Sequence, residues 1–156
     1  MHITIVAVGQ KLPAWAQTAV DDYLARFPRD FTVIVKEVKA EARTGGKPVA
    51  QVMAAEAERI ERAIPAGDIL VAMDEHGRDM TTVDFSKKIS GWKNEGCCVT
   101  FIIGGADGLD PALKAKSRMM LRLSSMTLPH AFARVLLTEQ IYRAWSILAN
   151  HPYHRV

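Results

Sequence analysis

The feature that most restricts the fold is a helical segment near the C-terminus, predicted for residues 131–149. At the 3.6-residue period of an α-helix, its apolar side chains cover nearly the whole circumference. Only a narrow strip of Glu139, Arg143 and Ser146 is polar. A helix that is apolar on almost every side should be buried on two sides. The second covering surface is either the rest of this chain, as in a central core helix, or another subunit.

The segment after this helix is rich in side chains suited to chemistry. Asn150 is predicted to cap the helix, and Pro152 prevents the helix from continuing. Two imidazoles, an aromatic ring and a guanidinium follow within five residues, from His151, Tyr153, His154 and Arg155. These groups suit general acid–base work and contact with RNA. The alternative is a solvated terminal tail.

Strand and helix patterns alternate along the rest of the chain. Apolar or β-branched runs predict strands at residues 3–8, 31–38, 68–74, 97–103 and 119–123. Helices are expected to begin at Pro13, at Pro48, at Thr81 or Thr82, and at Asp110-Pro111. This alternation predicts an α/β fold with a largely parallel sheet and helices on both faces. The 156 residues, 49% of them hydrophobic, fit one domain with a sizeable core.

Charge and cysteine content indicate the cellular compartment of the protein more than its function. A net charge of +3 permits a phosphate-bearing partner without requiring one. The two cysteines, Cys97 and Cys98, are adjacent in a predicted strand and should point to opposite faces, so neither a disulfide framework nor a Cys-x-x-Cys metal site is expected. There is no secretory signal pattern and no apolar run long enough to span a bilayer. We therefore expect a reduced, cytoplasmic setting and no membrane partner.

Three loops that leave late strands indicate a ligand site, because ligands bind open α/β sheets beyond the carboxyl ends of the strands. They comprise residues 74–78, 104–108 and 124–128. Gly104 and Gly105 permit close backbone approach, and Ser124, Ser125 and Thr127 offer hydroxyl groups. The glycine pattern matches neither the dinucleotide fingerprint nor a P-loop. A tight strand-to-helix turn is therefore the alternative, and the loops alone do not name a ligand.

Other polar segments also allow a functional and a structural interpretation. The loop at residues 39–47 is either a solvated turn or a contact for RNA phosphates. On the helix that follows, the charged face that includes Glu56 is expected to be ordinary surface. A nucleophile at Ser124 or Ser125 with His130 as its base is disfavoured, since Gly-x-Ser-x-Gly is absent and no carboxylate is placed to orient the imidazole. No metal site is expected, because His151 and His154 lack a third ligand nearby.

Four segments together resemble a known family. They read IIGGADG at residues 102–108, LSSMTLPH at 123–130, EQIYRAWS at 139–146 and NHPYHR at 150–155. The chain resembles, over its whole length, the bacterial large-subunit rRNA pseudouridine N3-methyltransferases of the SPOUT superfamily. Two departures stand out. Met73 occupies a position where leucine is usual, and Ala106-Asp107 replaces a common Pro-Glu, which leaves the role of that acidic group in doubt.

The resemblance implies a SPOUT methyltransferase fold over residues 1–156. Its C-terminal part, roughly residues 68–156, would form a deep trefoil knot, and the protein would be a homodimer. The knotted loops would hold S-adenosylmethionine in a bent conformation, largely through backbone groups. The implied cofactor-binding residues are Met73, Gly104, Leu123, Ser124, Ser125, Met126, Thr127 and Leu128. The C-terminal tail of one subunit would help to complete the other's site.

The implied activity is methylation of N3 of a pseudouridine in 23S rRNA, within the assembled ribosome. Because the methyl donor is already a strong electrophile, the protein's main task would be alignment. His154 is the candidate for assisting proton removal or orienting the base, with Tyr153 and Arg155 positioning the base and its phosphate. His130 and Arg134 are further candidates for the same surface. The alternatives are a non-catalytic RNA-associated protein of the same fold and a nucleotide-binding enzyme of unrelated chemistry.

Overall fold

A five-stranded parallel sheet lies at the centre of the computed structural model, which describes residues 1–9 and 11–155. The strands are β1 (His2–Val8), β2 (Thr32–Val38), β3 (Ile69–Arg78), β4 (Val99–Ile103) and β5 (Met119–Leu121). They are arranged in the order β2-β1-β4-β3-β5, and every neighbouring pair is parallel. The predicted α/β fold with a parallel sheet is confirmed.

Helices cover both faces of this sheet. They are α1 (Ala14–Leu24), α2 (Val49–Ala63), α3 (Thr82–Asn94), α4 (Pro111–Lys116) and α5 (His130–Leu148), with a short 3₁₀ turn at Thr44–Gly46. Two of the predicted helix N-caps are confirmed. The Asp110 side chain accepts a hydrogen bond from the Ala112 N–H at 2.8 Å at the start of α4, and the Thr81 side chain accepts one from the Asp84 N–H at 3.1 Å at the start of α3. No helix in the described part of the chain is both long and apolar enough to cross a membrane.

Alternate residues of β1 divide between two hydrophobic clusters, as expected for a strand buried on both faces. Ile3 and Ile5 pack on one side with apolar residues of α3 and α5. Val6 and Val8 pack on the other side with Ile60 of α2 and with apolar residues of α4. The longest helix, α5, therefore lies on the same face of the sheet as α3, and it also packs against α1.

Several strand boundaries differ from the sequence prediction, including the end of β5, which is Leu121 instead of Leu123. β4 begins at Val99, so the prediction that Cys97 and Cys98 lie within a strand is wrong; both are free thiols ahead of it. The Cys97 N–H instead donates to the Trp92 carbonyl at 2.9 Å and closes the end of α3. β3 continues past Asp74, and its pairing with β5 shifts register so that Met73 and Arg78 both lie opposite Leu121.

The end of α5 is fixed by two backbone hydrogen bonds. The His151 N–H donates to the Ser146 carbonyl at 2.8 Å, and the Asn150 N–H donates to the Ile147 carbonyl at 3.3 Å. Asn150 has a φ of 53°, the left-handed conformation that this type of helix end requires and that asparagine tolerates. The cap predicted at Asn150 is therefore confirmed, and it turns the tail away from the helix axis.

Candidate functional site

The three predicted segments meet at one edge of the sheet, but residues 74–78 form the last part of β3, so the prediction of a loop there is wrong. A pocket of about 140 Å³ lies between the ends of β3 and β4, at Met73 and Ile103, and the segments 121–124 and 126–128. A larger cleft of about 960 Å³ is lined by the glycine loop at residues 104–108. The pocket and the cleft share wall residues, including Met73, Ile103 and Leu128, so they form one continuous depression.

Most of the predicted cofactor-binding residues line this depression. The small pocket is lined by Met73, Leu123, Ser124, Met126, Thr127 and Leu128, and the cleft by Gly104. Among the described residues, Ser125 is the member of the predicted set that lines neither space. The Ser124 hydroxyl accepts a hydrogen bond from the Met126 N–H at 2.9 Å, which fixes the turn of this loop.

The glycine loop folds back tightly on itself. A side chain at Gly104 would place its Cβ 2.6 Å from the backbone carbon of Gly108, too close for any residue but glycine. A backbone bridge joins Gly105 and Gly108, with the Gly108 N–H donating to the Gly105 carbonyl at 3.0 Å. These contacts make the loop a fixed wall of the cleft.

Asp74, at the boundary of pocket and cleft, is already engaged. Its carboxylate accepts hydrogen bonds from the His76 N–H at 2.8 Å and from the Lys114 ammonium at 3.1 Å. Burial alone raises the pKa of Asp74, but these two donors outweigh it and hold the pKa below its usual value. Asp74 is therefore an ionised residue that fixes the part of β3 that follows Met73.

Arg134 and His130 form a buried relay beside the cleft. The Arg134 guanidinium, only 2% exposed, donates to Glu37 Oε2 at 2.9 Å and to His130 Nε2 at 2.8 Å. Because His130 Nε2 is an acceptor here, the ring proton belongs on Nδ1, an assignment made from the hydrogen-bond network. The expectation that Arg134 belongs to an RNA-contacting surface is wrong, since its charge is buried.

Burial has a direct effect on His130. Burial and the Arg134 charge lower the pKa of His130, against smaller opposing effects of its hydrogen bond with the Gly104 backbone and of Glu37. The imidazole is therefore held neutral. With Nε2 occupied by Arg134 and a hydrogen bond made to Gly104, His130 serves to fix the glycine loop in this arrangement.

The C-terminal tail packs against α1 and α5. The Tyr153 hydroxyl donates to Glu139 Oε1 at 2.9 Å and lies 2.9 Å from the Tyr23 hydroxyl. Burial, followed by the hydrogen bonds with Tyr23 and Glu139, raises the pKa of Tyr153 far above its usual value. Tyr153 thus remains protonated and positions the tail. His154 Nδ1 lies 3.3 Å from Arg143 Nη1, and Arg155 is exposed.

The tail begins at the end of α5 remote from the depression and folds back along the helix as far as Glu139. His130, the first residue of the helix, lines the cleft, whereas the tail follows Leu148. Glu139 is nine residues along α5 from His130, which corresponds to about 14 Å at the usual helical rise. Within one protomer, the structure does not bring His154, Tyr153 and Arg155 to the predicted cofactor residues.

Sequence reasoning missed one buried residue of the cleft. Glu56 was expected on the surface of α2, but it is only 3% exposed. The available signal was its spacing, because Val52, Glu56 and Ile60 lie four residues apart on one helical face and all three are buried. Its position among apolar neighbours on that face is the feature that distinguishes it from the other charged residues of the helix.

Comparison with known proteins identifies the family. A family model described as "Predicted SPOUT methyltransferase" matches residues 1–154. The chain belongs to this SPOUT methyltransferase family. A relative from Ralstonia pickettii (strain 12J), named Ribosomal RNA large subunit methyltransferase H, is 53% identical over 156 residues and is covered along 100% of both chains. A relative of the same name from Bordetella avium (strain 197N) is 55% identical over 155 residues, 99% of both chains.

Solved structures support the fold alone, since their sequence identities are low. A probable methylase family protein from Haemophilus influenzae Rd KW20 has a TM-score of 0.59 at 12% identity, over 99% of this chain and 70% of that chain. A putative methylase family protein from Neisseria gonorrhoeae has a TM-score of 0.54 at 14% identity, over 99% of this chain and 95% of that chain.

SPOUT methyltransferases use S-adenosylmethionine, and the residues at the depression fit this molecule. The small pocket, walled by an extended loop, suits a planar base such as adenine. The larger cleft is lined by Glu56, whose buried Oε1 has no hydrogen-bond partner in the described residues. It is also lined by Gly9, which lies against Arg134 Nη2, a buried donor that likewise has no partner there. A buried acceptor and a buried donor, each without a hydrogen-bond partner, match the ammonium and the carboxylate at the amino-acid end of the cofactor.

Proposed function

We propose that this protein methylates N3 of a pseudouridine in 23S rRNA, using S-adenosylmethionine, and that it acts on the assembled ribosome in the cytoplasm. One observation carries the proposal: a base-sized pocket walled by residues 121–128 continues into a cleft lined by a rigid glycine loop. The two relatives described above, both named large-subunit rRNA methyltransferases, support rRNA as the substrate.

The protein's contribution to the reaction is alignment. S-adenosylmethionine supplies, when bound, a methyl group on a positively charged sulfur. The loop that contains Leu123 and Leu128 and the end of β3 at Met73 hold the adenosine part. The Glu37–Arg134–His130 relay keeps the glycine loop in place, because His130 is hydrogen-bonded to Gly104. A fixed donor restricts attack to one direction, which is where much of the rate increase arises.

A second copy of the chain would complete the site. The tail folds back along α5 only as far as Glu139, about 14 Å along the helix from His130, so a homodimer with a two-fold axis would let each tail reach the partner's cleft. A patch of exposed apolar side chains supports this arrangement: Trp15 and Phe132 are 50% and 47% exposed, and their ring centroids are 4.9 Å apart. Leu136, one turn along α5 from Phe132, is 37% exposed.

In this arrangement His154 assists removal of the N3 proton from the base. Arg155, which is exposed, contacts a phosphate of the RNA. Tyr153 keeps its proton and anchors the tail to Glu139, so it positions the other two residues. The modest net charge of +3 supports recognition of an assembled ribosomal surface over binding of free RNA by charge alone.

The proposal includes a single domain over residues 1–156, with a deep trefoil knot in the cofactor-binding part from about residue 68 onward. A close backbone crossing supports it, since a Cβ on Gly77 would lie 2.7 Å from the backbone of Leu121. The shift in register between β3 and β5 occurs at the same place. Both features are typical of a chain that passes tightly over an earlier segment.

Mass spectrometry of rRNA from a strain that lacks the gene tests the proposed function. We expect one pseudouridine in 23S rRNA to lose a methyl group, and the wild-type gene to restore it. Purified protein should then methylate ribosomes from that strain far better than a short naked hairpin carrying the same pseudouridine. Full methylation in the deletion strain would overturn the proposed substrate, and equal activity on the hairpin would overturn recognition of the assembled ribosome.

A variant of the tail tests the role of His154. His154→Ala should reduce methyl transfer at saturating cofactor by roughly 10²-fold or more, as removal of a proton-transfer group does. Affinity for S-adenosylmethionine, measured by calorimetry, should stay close to wild type, because the tail does not line the cofactor pocket of its own protomer. Unchanged turnover would contradict the proposed role of His154.

A further inference from the structure

Only one of the two carboxylate oxygens of Glu56 has a hydrogen-bond partner in the described residues. Oε2 accepts a hydrogen bond from the Glu41 N–H at 3.0 Å, whereas Oε1 is buried and has no partner in the described residues. The nearest basic residue along the chain, Arg59, makes other contacts. It donates to the Lys39 carbonyl and pairs with Glu41. A buried carboxylate oxygen without a partner costs free energy, so it requires an explanation.

The space in front of this oxygen belongs to the cleft. Glu56 lines the cleft, and so does Gly105 at the end of β4. A Cβ on Gly105 would lie 3.0 Å from Glu56 Oε1 and 3.2 Å from Val8. Glycine at this position leaves the space in front of Glu56 Oε1 unoccupied. A buried acceptor therefore faces an open part of the cleft.

A second buried atom without a hydrogen-bond partner, this one on a positively charged group, lies near the end of the adjacent strand β1. Arg134 Nη2 is buried without a hydrogen-bond partner in the described residues, and a Cβ on Gly9 would lie 3.5 Å from it. Gly9 follows β1, which is the neighbour of β4 in the sheet. A third buried atom without a hydrogen bond, Asp107 Oδ2, lies 2.7 Å from Arg43 Nη2 and is already paired in charge.

We propose that Glu56 binds the α-ammonium group of S-adenosylmethionine, an inference that rests on the proposed function. With adenosine in the small pocket, the amino-acid end extends into the adjoining cleft, where Glu56 Oε1 is the buried acceptor without a partner. The ammonium provides the missing hydrogen bond and neutralises the charge. Arg134 Nη2, across the neighbouring strand end, matches the α-carboxylate of the same group.

Calorimetry with three ligands tests this assignment. S-adenosylhomocysteine carries both the ammonium and the carboxylate, 5′-deoxy-5′-(3-aminopropylthio)adenosine keeps only the ammonium, and 5′-methylthioadenosine has neither. Glu56→Gln should weaken binding of the first two by about 10- to 100-fold, the usual loss for one charge-assisted hydrogen bond. It should leave binding of 5′-methylthioadenosine unchanged, because that ligand does not reach Glu56.

Glu58→Gln is the matched control. Glu58 lies on the same helix but is exposed and pairs with Arg62 at 2.6 Å, so this change should affect none of the three ligands. If Glu56→Gln weakens 5′-methylthioadenosine as much as S-adenosylhomocysteine, Glu56 only supports the loop and the proposal is overturned. Unchanged binding of S-adenosylhomocysteine overturns it as well. If the wild-type protein binds none of the ligands, the proposed cofactor site itself fails, and this assignment with it.

Discussion

At the scale of single residues, His130 links the stability of the fold to pH. Its pKa is lowered in the folded protein by burial and by Arg134, whereas an imidazole in the unfolded chain has a pKa of about 6.5. Between these two values the unfolded chain binds more protons, so stability rises with pH in that window. Stability is therefore lost as the pH falls from about 6.5 towards the lowered pKa.

Substitution of His130 should remove this part of the pH dependence. His130→Gln keeps an acceptor for Arg134 but cannot take up a proton. We expect its free energy of unfolding, from urea titrations at about pH 7.5 and pH 5.5, to fall less on acidification than that of the wild type. His76→Gln is the control, since His76 is exposed and should leave the difference unaltered. Equal pH dependence in wild type and His130→Gln would show that His130 does not couple protonation to folding.

Residue types alone predicted part of the site. The glycines and hydroxyl residues of the late loops were predictable because their side chains, or the lack of them, permit close approach to a ligand. Glu56 and Arg134 were expected on surfaces because charged residues are rarely buried. The burial of Arg134 depends on Glu37, which is distant in sequence, so no local pattern contains that information. For Glu56, the spacing with Val52 and Ile60 was a local signal that the charge obscured.

At the scale of elements, a tight backbone contact joins β3 and β5. Gly77 lies against the backbone of Leu121 and Arg122, where a Cβ would approach backbone atoms to 2.7–2.9 Å. Backbone cannot move aside as the end of a side chain does. Gly77→Ala should therefore destabilise the protein by about 1–3 kcal/mol, the range for overpacked sites. It should also weaken cofactor binding, because Leu121 and Arg122 border the small pocket.

Gly91→Ala provides the comparison for this prediction. Gly91 lies within α3 and has no atom within 4 Å of its would-be Cβ. Alanine is the better helix former, so this change should stabilise by roughly 0.5–1 kcal/mol. Urea unfolding and calorimetry with S-adenosylhomocysteine measure both effects. If Gly77→Ala is as stable as wild type and binds equally well, the close crossing does not constrain the site.

Elements were predicted well where one local signal defines them. The start of α4 follows from Asp110 and Pro111, and the end of α5 follows from Asn150, because capping depends on neighbours in sequence. The extension of β3 to Arg78 was missed, since that pairing depends on Leu121, which is far away along the chain. Strand ends in this sheet are thus set by tertiary contacts, as is common.

At the scale of the whole molecule, the separation of the tail from the cleft within one protomer was not predictable from the sequence. The composition of the tail does not indicate where the tail lies relative to the cleft, and neither does the composition of the cleft residues. The apolar circumference of α5 did indicate a second covering surface. Its exposed residues Phe132 and Leu136, beside Trp15, are where the proposed partner subunit would be expected.

A mixed dimer of two defective chains tests whether the tail acts across the interface. One chain carries His154→Ala. The other carries Gly104→Ala, whose Cβ would collide with the Gly108 backbone and block cofactor binding. Each homodimer should be folded, as judged by circular dichroism and gel filtration, but inactive. If the tail acts on the partner's cleft, a purified heterodimer contains one site with both defects and one with neither, and should show about half the wild-type activity. If the tail acts on its own cleft, both sites are defective and the heterodimer should be inactive, which would refute the shared site.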